Sequence, residues 1–278
     1  MVWEKEKVVV ENSKLIVTKS RLCEDFQKIG LKAGDIVLVH SSLSKIGWIP
    51  GGPILVIEAL MEVLTPNGTL VMPTHSSENS EPSLWHFPPV PEKWWPIIRE
   101  EMPYYDPKIT PTRGMGKIPE IFRTYPDVIR SNHPQCSFAS WGKYANEISS
   151  NHPFIPCFGE NSPIGRIYDL NGKILLLGVG YGNNTSLHLA EKKANIPNQP
   201  HEIQGAAIIE NGIRKWITGE DLEYADDDFV KVGEAFEKKN GYIPQKIGIA
   251  ESRLLKSKKL IDFAVKWFKA NRHYPNSE

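Results

Sequence analysis

The sequence predicts an α/β protein built on a mixed sheet, and three observations carry that prediction. "DIVLVH" and "GTLVMPT" are short apolar runs of strand type, and "PILVIEALMEVL" between them has the length and spacing of a helix. Strand, helix, strand is the unit that lays parallel strands side by side under a covering helix. "KILLLGVG" is a third and stronger buried strand, followed at once by the helical "TSLHLAEKKA".

The remaining elements follow in chain order. "TKSRLCEDFQKIG" alternates apolar and polar residues at helical spacing, with Gly30 placed as its C-cap. "PILVIEALMEVL" carries proline in its first turn, where a missing N–H costs nothing. From Ser76 to Pro111 the periodicity fails amid prolines and Trp85, Trp94 and Trp95, which predicts a long functional loop or lid. "PEIFRTYP" resumes as helix, "QGAAIIENGIRKWITGE" predicts a hairpin turning on Asn211-Gly212, and "SKKLIDFAVKWFKANR" predicts an amphipathic C-terminal helix. No internal repeat or composition shift divides the chain, so residues 1–278 are expected to form one domain.

Composition narrows the function classes. Lysine plus arginine equals aspartate plus glutamate at 33 each, so no overall field recruits nucleic acid or an anionic membrane. No apolar run approaches the roughly 20 residues that span a bilayer. The charged N-terminal "MVWEKEKVVVENSK" does not read as a secretory signal. Cys23, Cys136 and Cys157 are too few and scattered for a disulfide framework, and a cytoplasmic protein is expected. The eight histidines form no ligand set of zinc spacing, so no metal is expected.

The stretch "VLVHSSLSKIGWIPGGPILVIEAL" places Ser41, Ser42 and Ser44, with Gly47, Gly51 and Gly52, where a buried strand hands over to a helix. A helix start leaves backbone N–H groups free, and glycines let a ligand approach the chain closely. That chemistry suits a phosphate, a pyrophosphate or the amides of a pantetheine arm; a serine-rich turn with an N-cap is the structural alternative. "GVGYGNN" fails the dinucleotide spacing, because position 183 is asparagine.

In "GNNTSLHLAEKKA", a cap at Asn184 or Thr185 puts His188 in the first helical turn, where the dipole disfavours an imidazolium. A neutral imidazole is a competent general base, and Glu191 at i+3 can orient it. "SNHPQCSFASWG" brings His133, Cys136 and Ser137 together, so a Cys–His nucleophile is conceivable beside the commoner structural cysteine. No G-x-S-x-G elbow is present, which argues against a serine hydrolase. "ITGEDLEYADDDF" concentrates Glu220, Asp221, Glu223, Asp226, Asp227 and Asp228 into an anionic patch able to hold a polyamine or aminosugar, or into a solvated loop.

Taken in order, "VHSSLSKIGWIPGGPILVIEAL", "GTLVMPTHS", "WHFPPVPEKWWPIIRE", "TPTRGMGKIPEIFR", "RSNHPQCSFASWG" and "SPIGRIYDLNGKILLLGVGYGNNTSLHLAE" resemble the aminoglycoside 3-N-acetyltransferases, roughly from residue 15 to 270. The resemblance implies a three-layer α/β/α sandwich with a mixed central sheet, the Pro/Trp-rich segment being an insertion. It implies acetyl-CoA as co-substrate and an amino group of a 2-deoxystreptamine antibiotic as acceptor. His188 matches the histidine of the family's N-T-x-L-H-x-x-E segment and is the expected base, with Glu191 as its partner. His40, Ser41, Ser42, Leu43, Ser44 and Gly47 carry over as part of the CoA site, and Thr74, Thr112, Met115, Gly116, Ser137 and Phe138 lie in the other matching motifs. Asp226 and Asp227 are the expected acceptor-binding carboxylates. An acetyltransferase acting on a metabolic amine, or a CoA-binding protein without catalysis, are the alternatives.

Overall fold

The computed structural model describes residues 2–13 and 15–275. The chain opens with helices α1 (Val2–Asn12) and α2 (Lys19–Ile29). Thr18 caps α2 by accepting from Arg21 N, and Gly30 ends it in the left-handed region at φ 110°. Strand β1 (Ile36–Ser41), the short α3 (Leu43–Ile46), α4 (Pro53–Leu64) and β2 (Thr69–Pro73) follow, and β1 pairs parallel with β2 as the sequence expects. Next come α5 (Trp95–Glu101), α6 (Lys117–Phe122), β3 (Ile129–Arg130), β4 (Phe138–Gly142), α7 (Ala145–Ser149) and α8 (Pro163–Asp169). The last part holds β5 (Lys173–Leu177), α9 (Ser186–Ala194), β6 (His201–Glu210), β7 (Ile213–Leu222), α10 (Phe229–Asn240), β8 (Gln245–Ile247), β9 (Ala250–Lys256) and α11 (Ser257–Asn271).

Seven strands form one sheet in the order β3-β4-β2-β1-β5-β9-β8. The central β2, β1 and β5 are parallel, while β4 and β9 flank them antiparallel, so the sheet is mixed. Period-two geometry splits each central strand between two cores. Val37, Val39, Leu175 and Leu177 face a core shared with Leu22 and Phe26 of α2 and Leu60 of α4. Ile36, Leu38, Ile174 and Leu176 face the other, shared with Leu187 of α9, Phe229 of α10 and Leu260 of α11. Helices therefore cover both faces, giving an α/β/α sandwich.

The strands β6 and β7 stand apart as a two-stranded ribbon. Asn211 at φ 52° and Gly212 at φ 78° form its turn, as the Asn-Gly pair predicts for two adjacent left-handed residues. Against this ribbon lies the segment 76–111, which is largely irregular as the sequence expects. The segment contains α5 and is fastened down. Asn79 exchanges side-chain hydrogen bonds of 2.8 and 2.9 Å with the backbone of Ala207, imitating a strand partner. Arg214 donates to the Arg99 and Met102 carbonyls, and buried Glu81 pairs with Arg99 at 2.5 Å. Periodicity was absent because the segment is held by side chains reaching to backbone, not by a repeated apolar face.

Candidate active site

A cleft of about 1120 Å³ opens at the carboxyl ends of β1 and β5. Ser41, Ser42, Leu43, Ser44 and Gly47 form one wall, Gly51, Gly52 and Pro53 lead into α4, and Gly114, Met115 and Gly116 form the facing wall. Lys45 and Lys117 place two cations in the lining. Ser42 precedes α3 but makes no side-chain cap, and α4 likewise starts at Gly52 without one. The hydroxyls of Ser42 and Ser44 have no hydrogen-bond partner among the described residues, and Ser41 Oγ is buried without one. A capped α3 would have used the Ser42 hydroxyl. Built Cβ atoms at Gly51, Gly52, Gly114 and Gly116 would meet nothing within 4 Å, so these glycines border open space. Thr112 lines the adjoining hollow with Gly116 and Lys117.

His188 lies on α9, beyond Asn183 of the cleft wall and next to His40. The helix begins as the Asn184 Oδ1 accepts from Ser186 N, which sets His188 in its first turn. His188 Nδ1 meets Glu191 Oε2 at 2.5 Å, the i+3 pair that helical spacing puts on one face. A carboxylate can only accept, so Nδ1 carries the hydrogen, and in the neutral ring Nε2 is the nitrogen that keeps the lone pair. Nε2 makes no hydrogen bond among the described residues. Phe158 stacks on the ring at 4.8 Å, Phe229 lies at 4.9 Å, and Tyr224 meets it edge-on at 5.3 Å. The ring is thus fixed on three sides by aromatic groups and on a fourth by a fully buried carboxylate.

Two further histidines back the site. His40 is the penultimate residue of β1, and His75 follows β2, the parallel neighbour. His40 is buried and His75 half-buried with its Nε2 enclosed, and desolvation together with neighbouring imidazoles pushes each down to about 3, so both are neutral. Their Nε2 atoms, with Ser41 Oγ and Asn184 Nδ2, are buried polar atoms without partners. Such atoms cost about 1–3 kcal/mol each unless something binds there, and they gather around the junction of cleft and dyad.

Not every residue expected at the CoA site lines the cleft. Thr74 and Ser137 are fully buried, hydrogen-bonded to each other at 3.1 Å and to Arg130 Nε at 3.2 and 3.0 Å, so their hydroxyls brace a buried guanidinium. Phe138 is fully buried behind His75, ring to ring at 5.3 Å. The conceivable Cys–His pair is also corrected. His133 Nδ1 accepts from the Gln135 and Cys136 backbone N–H groups, and Nε2 is 3.1 Å from the Phe154 carbonyl. With its lone pair committed to backbone, the ring cannot take a proton from a thiol.

The acidic patch divides likewise. Asp221 is buried and accepts from Cys157 N and Leu222 N, and Asp228 pairs with Arg272. Glu220, Glu223, Asp226 and Asp227 stay exposed. Asp226 and Asp227 follow Ala225, whose N–H donates to Glu191 Oε1 at 3.2 Å, so they flank the dyad. Sequence reasoning missed His75, Phe158, Tyr224 and Arg272. For His75 a signal existed: two adjacent apolar runs, "IVLVH" and "LVMPTH", both end in histidine, and parallel pairing brings such ends together.

Comparison with known proteins shows similarity over most of the chain. The sequence profile described as aminoglycoside 3-N-acetyltransferase matches residues 38–269. The SPbeta prophage-derived aminoglycoside N(3')-acetyltransferase-like protein YokD of Bacillus subtilis (strain 168) is 48% identical over 94% of this chain and 96% of its own. Its crystal structure has a TM-score of 0.92 at 47% identity, covering 95% of this chain and 98% of that one. Aminoglycoside N(3)-acetyltransferase VII of Streptomyces paromomycinus is 34% identical over 90% of this chain and 91% of its own. A binary complex of AAC-IIIb with CoASH has a TM-score of 0.84 at 27% identity, over 95% of this chain and all of that one. AAC-VIa bound to sisomicin has a TM-score of 0.84 at 28% identity, over 94% of this chain and all of that one. A match across most of the chain, in sequence and in fold alike, means that this protein belongs to the aminoglycoside 3-N-acetyltransferase family.

Proposed function

We propose that this protein transfers the acetyl group of acetyl-CoA directly to an amine, the 3-amino group of 2-deoxystreptamine in an aminoglycoside, with His188 as general base. The observation that carries the reading is the His188–Glu191 hydrogen bond, which leaves Nε2 as an acceptor near His40, whose chain neighbour Ser41 lines the cleft. The pantetheine and diphosphate of CoA suit the Ser41–Gly47 wall and the uncapped start of α4, with Lys45 and Lys117 as counter-charges. The complex of AAC-IIIb with CoASH supports the donor, and AAC-VIa bound to sisomicin supports the acceptor.

The chemistry balances without a covalent enzyme intermediate. The amine nitrogen adds to the thioester carbonyl carbon as its proton passes to His188 Nε2, and collapse forms the amide and breaks the carbon–sulfur bond. The thiolate of CoA then takes the proton and leaves. The passing oxyanion needs fixed donors, each typically worth about 2.7–4 kcal/mol. Glu191 stabilises the imidazolium that forms, and Asp226 and Asp227 offer carboxylates to a polycationic acceptor. No helix among the described residues is long and apolar enough to cross a membrane, and a cytoplasmic setting fits a cytosolic thioester donor.

A second reading, acetylation of a metabolic amine, is favoured by two observations. Asp221 and Asp228 of the acidic patch are consumed by internal bonds, and the relative at 48% identity is named only as acetyltransferase-like. A thiol-release assay with acetyl-CoA against a panel of aminoglycosides and polyamines decides between them. Turnover confined to aminoglycosides supports the first reading, and turnover confined to polyamines the second. Tight CoA binding with no thiol release from any amine leaves a binding protein. Where turnover is seen, His188→Ala is expected to lower it roughly 10²–10⁴-fold, and normal turnover in that variant removes His188 from the mechanism.

A further inference from the structure

We infer that Arg272, which closes the last helix, is a positioning residue for the His188–Glu191 pair: it fixes the Glu191 carboxylate and sets how tightly the pair holds a proton. The inference rests on the reading of His188 as the base. Arg272 lies beyond residues 38–269, the stretch that the family profile matches.

Its backbone N–H donates to the Phe268 carbonyl at 2.9 Å, so the residue is carried on the final turn of α11. The guanidinium lies 4.0 Å over the Phe268 ring. Nη1 donates to Glu191 Oε1, the oxygen that His188 does not use. Nε and Nη2 donate to the two oxygens of Asp228 at 2.7 and 2.5 Å, and Nη2 also reaches the Ala225 carbonyl at 2.9 Å. The result is a chain of charged hydrogen bonds, Asp228 to Arg272 to Glu191 to His188, that gathers α9, α10 and α11. A planar fork meets two carboxylates in this way, where a lysine supplies only a point charge. Burial opposes the Arg272 charge, but the bonds to Asp228 and then Glu191 outweigh it and raise its proton affinity above the ordinary arginine range.

Among the described residues, the other groups around the pair carry no competing positive charge. His40 from β1 and His75 behind it are held neutral by burial. Burial pushes the Tyr224 hydroxyl and the Cys157 thiol up, and Asp221 and Asp228 are carboxylates. Arg272 is therefore the cation that draws charge from Glu191. Without it the pair retains more negative charge and binds a proton more tightly, and an opposite charge at this range is worth about 1–3 pH units. Asp228 competes for Arg272, so its neutralisation acts the other way.

The test follows the imidazole nitrogens of His188 by NMR in the full-length protein, from pH 4 to 9 (roughly the span of histidine titration), with no acceptor needed. Against the wild type, Arg272→Met is expected to move the pair's apparent titration up by about one unit or more, Arg272→Lys by less, and Asp228→Asn down. The acid limb of kcat/KM moves with it in an active preparation. Opposite signs from the two positions cannot come from general loosening. If Arg272→Met does not fold, Arg272→Lys and Asp228→Asn still give the two signs. Wild-type titration in the variants that fold, with only a lower Tm, overturns the inference and leaves Arg272 as a brace. Retained turnover in His188→Ala with a shifted titration would instead overturn the base assignment alone.

Discussion

Ser42 and Ser44 illustrate how a site is marked at the scale of one residue. Neither hydroxyl has a protein partner among the described residues, and both line the cleft, so both are free to bond to a ligand. Replacing both by leucine should raise the Kd for CoA about tenfold or more, since two hydrogen bonds at about 1 kcal/mol each are lost and bulk is added. Isothermal titration with CoA measures it, and an unaltered Kd removes the serines from the donor site. His133 teaches the opposite lesson. Beside Cys136 in sequence it looks like half of a nucleophilic pair, but both nitrogens are spent on backbone, and burial pushes the ring down to about 4. His188 differs in having one nitrogen held and the other left over.

At the scale of elements, close approach between α10 and the turn after β5 shapes one side of the cleft. A Cβ built on Gly233 would sit 2.0 Å from the Tyr181 ring, which is itself buried. Gly233→Ala must therefore displace an aromatic ring held in a packed core, at a cost of about 1–3 kcal/mol for overpacking of this kind. The expected outcome is a Tm lowered by several degrees in thermal melts, and a melt like the wild type's would show that the ring yields freely. Tyr181 begins the turn that ends at cleft-lining Asn183, so donor binding should weaken in the same variant. The ribbon β6–β7 shows another element-level dependence: it is not part of the main sheet, and its contacts with Asn79, Arg99 and Met102 order the segment 76–111.

The molecule as a whole carries an acid-sensitive interior. His40 and His75 are pushed down to about 3 and His133 to about 4, while His152 is also lowered, all chiefly by burial. The unfolded chain binds protons at these rings near the ordinary histidine value, while the folded chain does not, so stability rises with pH between the two values. Their contribution is complete above about pH 6.5 and is lost as pH falls toward about 3–4. Glu120, held down to about 2 by Arg123 and Thr112 against the opposing effect of burial, adds a loss of the same sign below the ordinary carboxylate range. Each buried ring contributes up to about 1.4 kcal/mol per pH unit in that window, so the urea midpoint should fall steeply from pH 7 to pH 5. A flat midpoint across those two units would mean that the rings take up protons without unfolding the chain.

Much of this fold was legible because its elements advertise themselves locally. The apolar runs of β1, β2 and β5 are continuous since both faces are buried, α2 shows its cap residues, and Asn211-Gly212 leaves little choice of turn. His188 and Glu191 were legible for the same reason, because spacing within one helix fixes which side chains meet. The contacts that complete the site are long-range: Arg272 is 81 residues from Glu191, and Arg130 is 56 from Thr74. Nothing in local spacing announces such partners. Whether a carboxylate in "EDLEYADDDF" faces solvent, caps a backbone or holds an arginine depends on what the tertiary structure brings against it. The sequence by itself determined the strand–helix–strand unit, the strand-to-helix junction and the pairing of His188 with Glu191, all set by short-range periodicity and backbone chemistry. Only the tertiary structure decided which polar groups remain unspent, because burial and pairing belong to the assembled chain and not to any stretch of it.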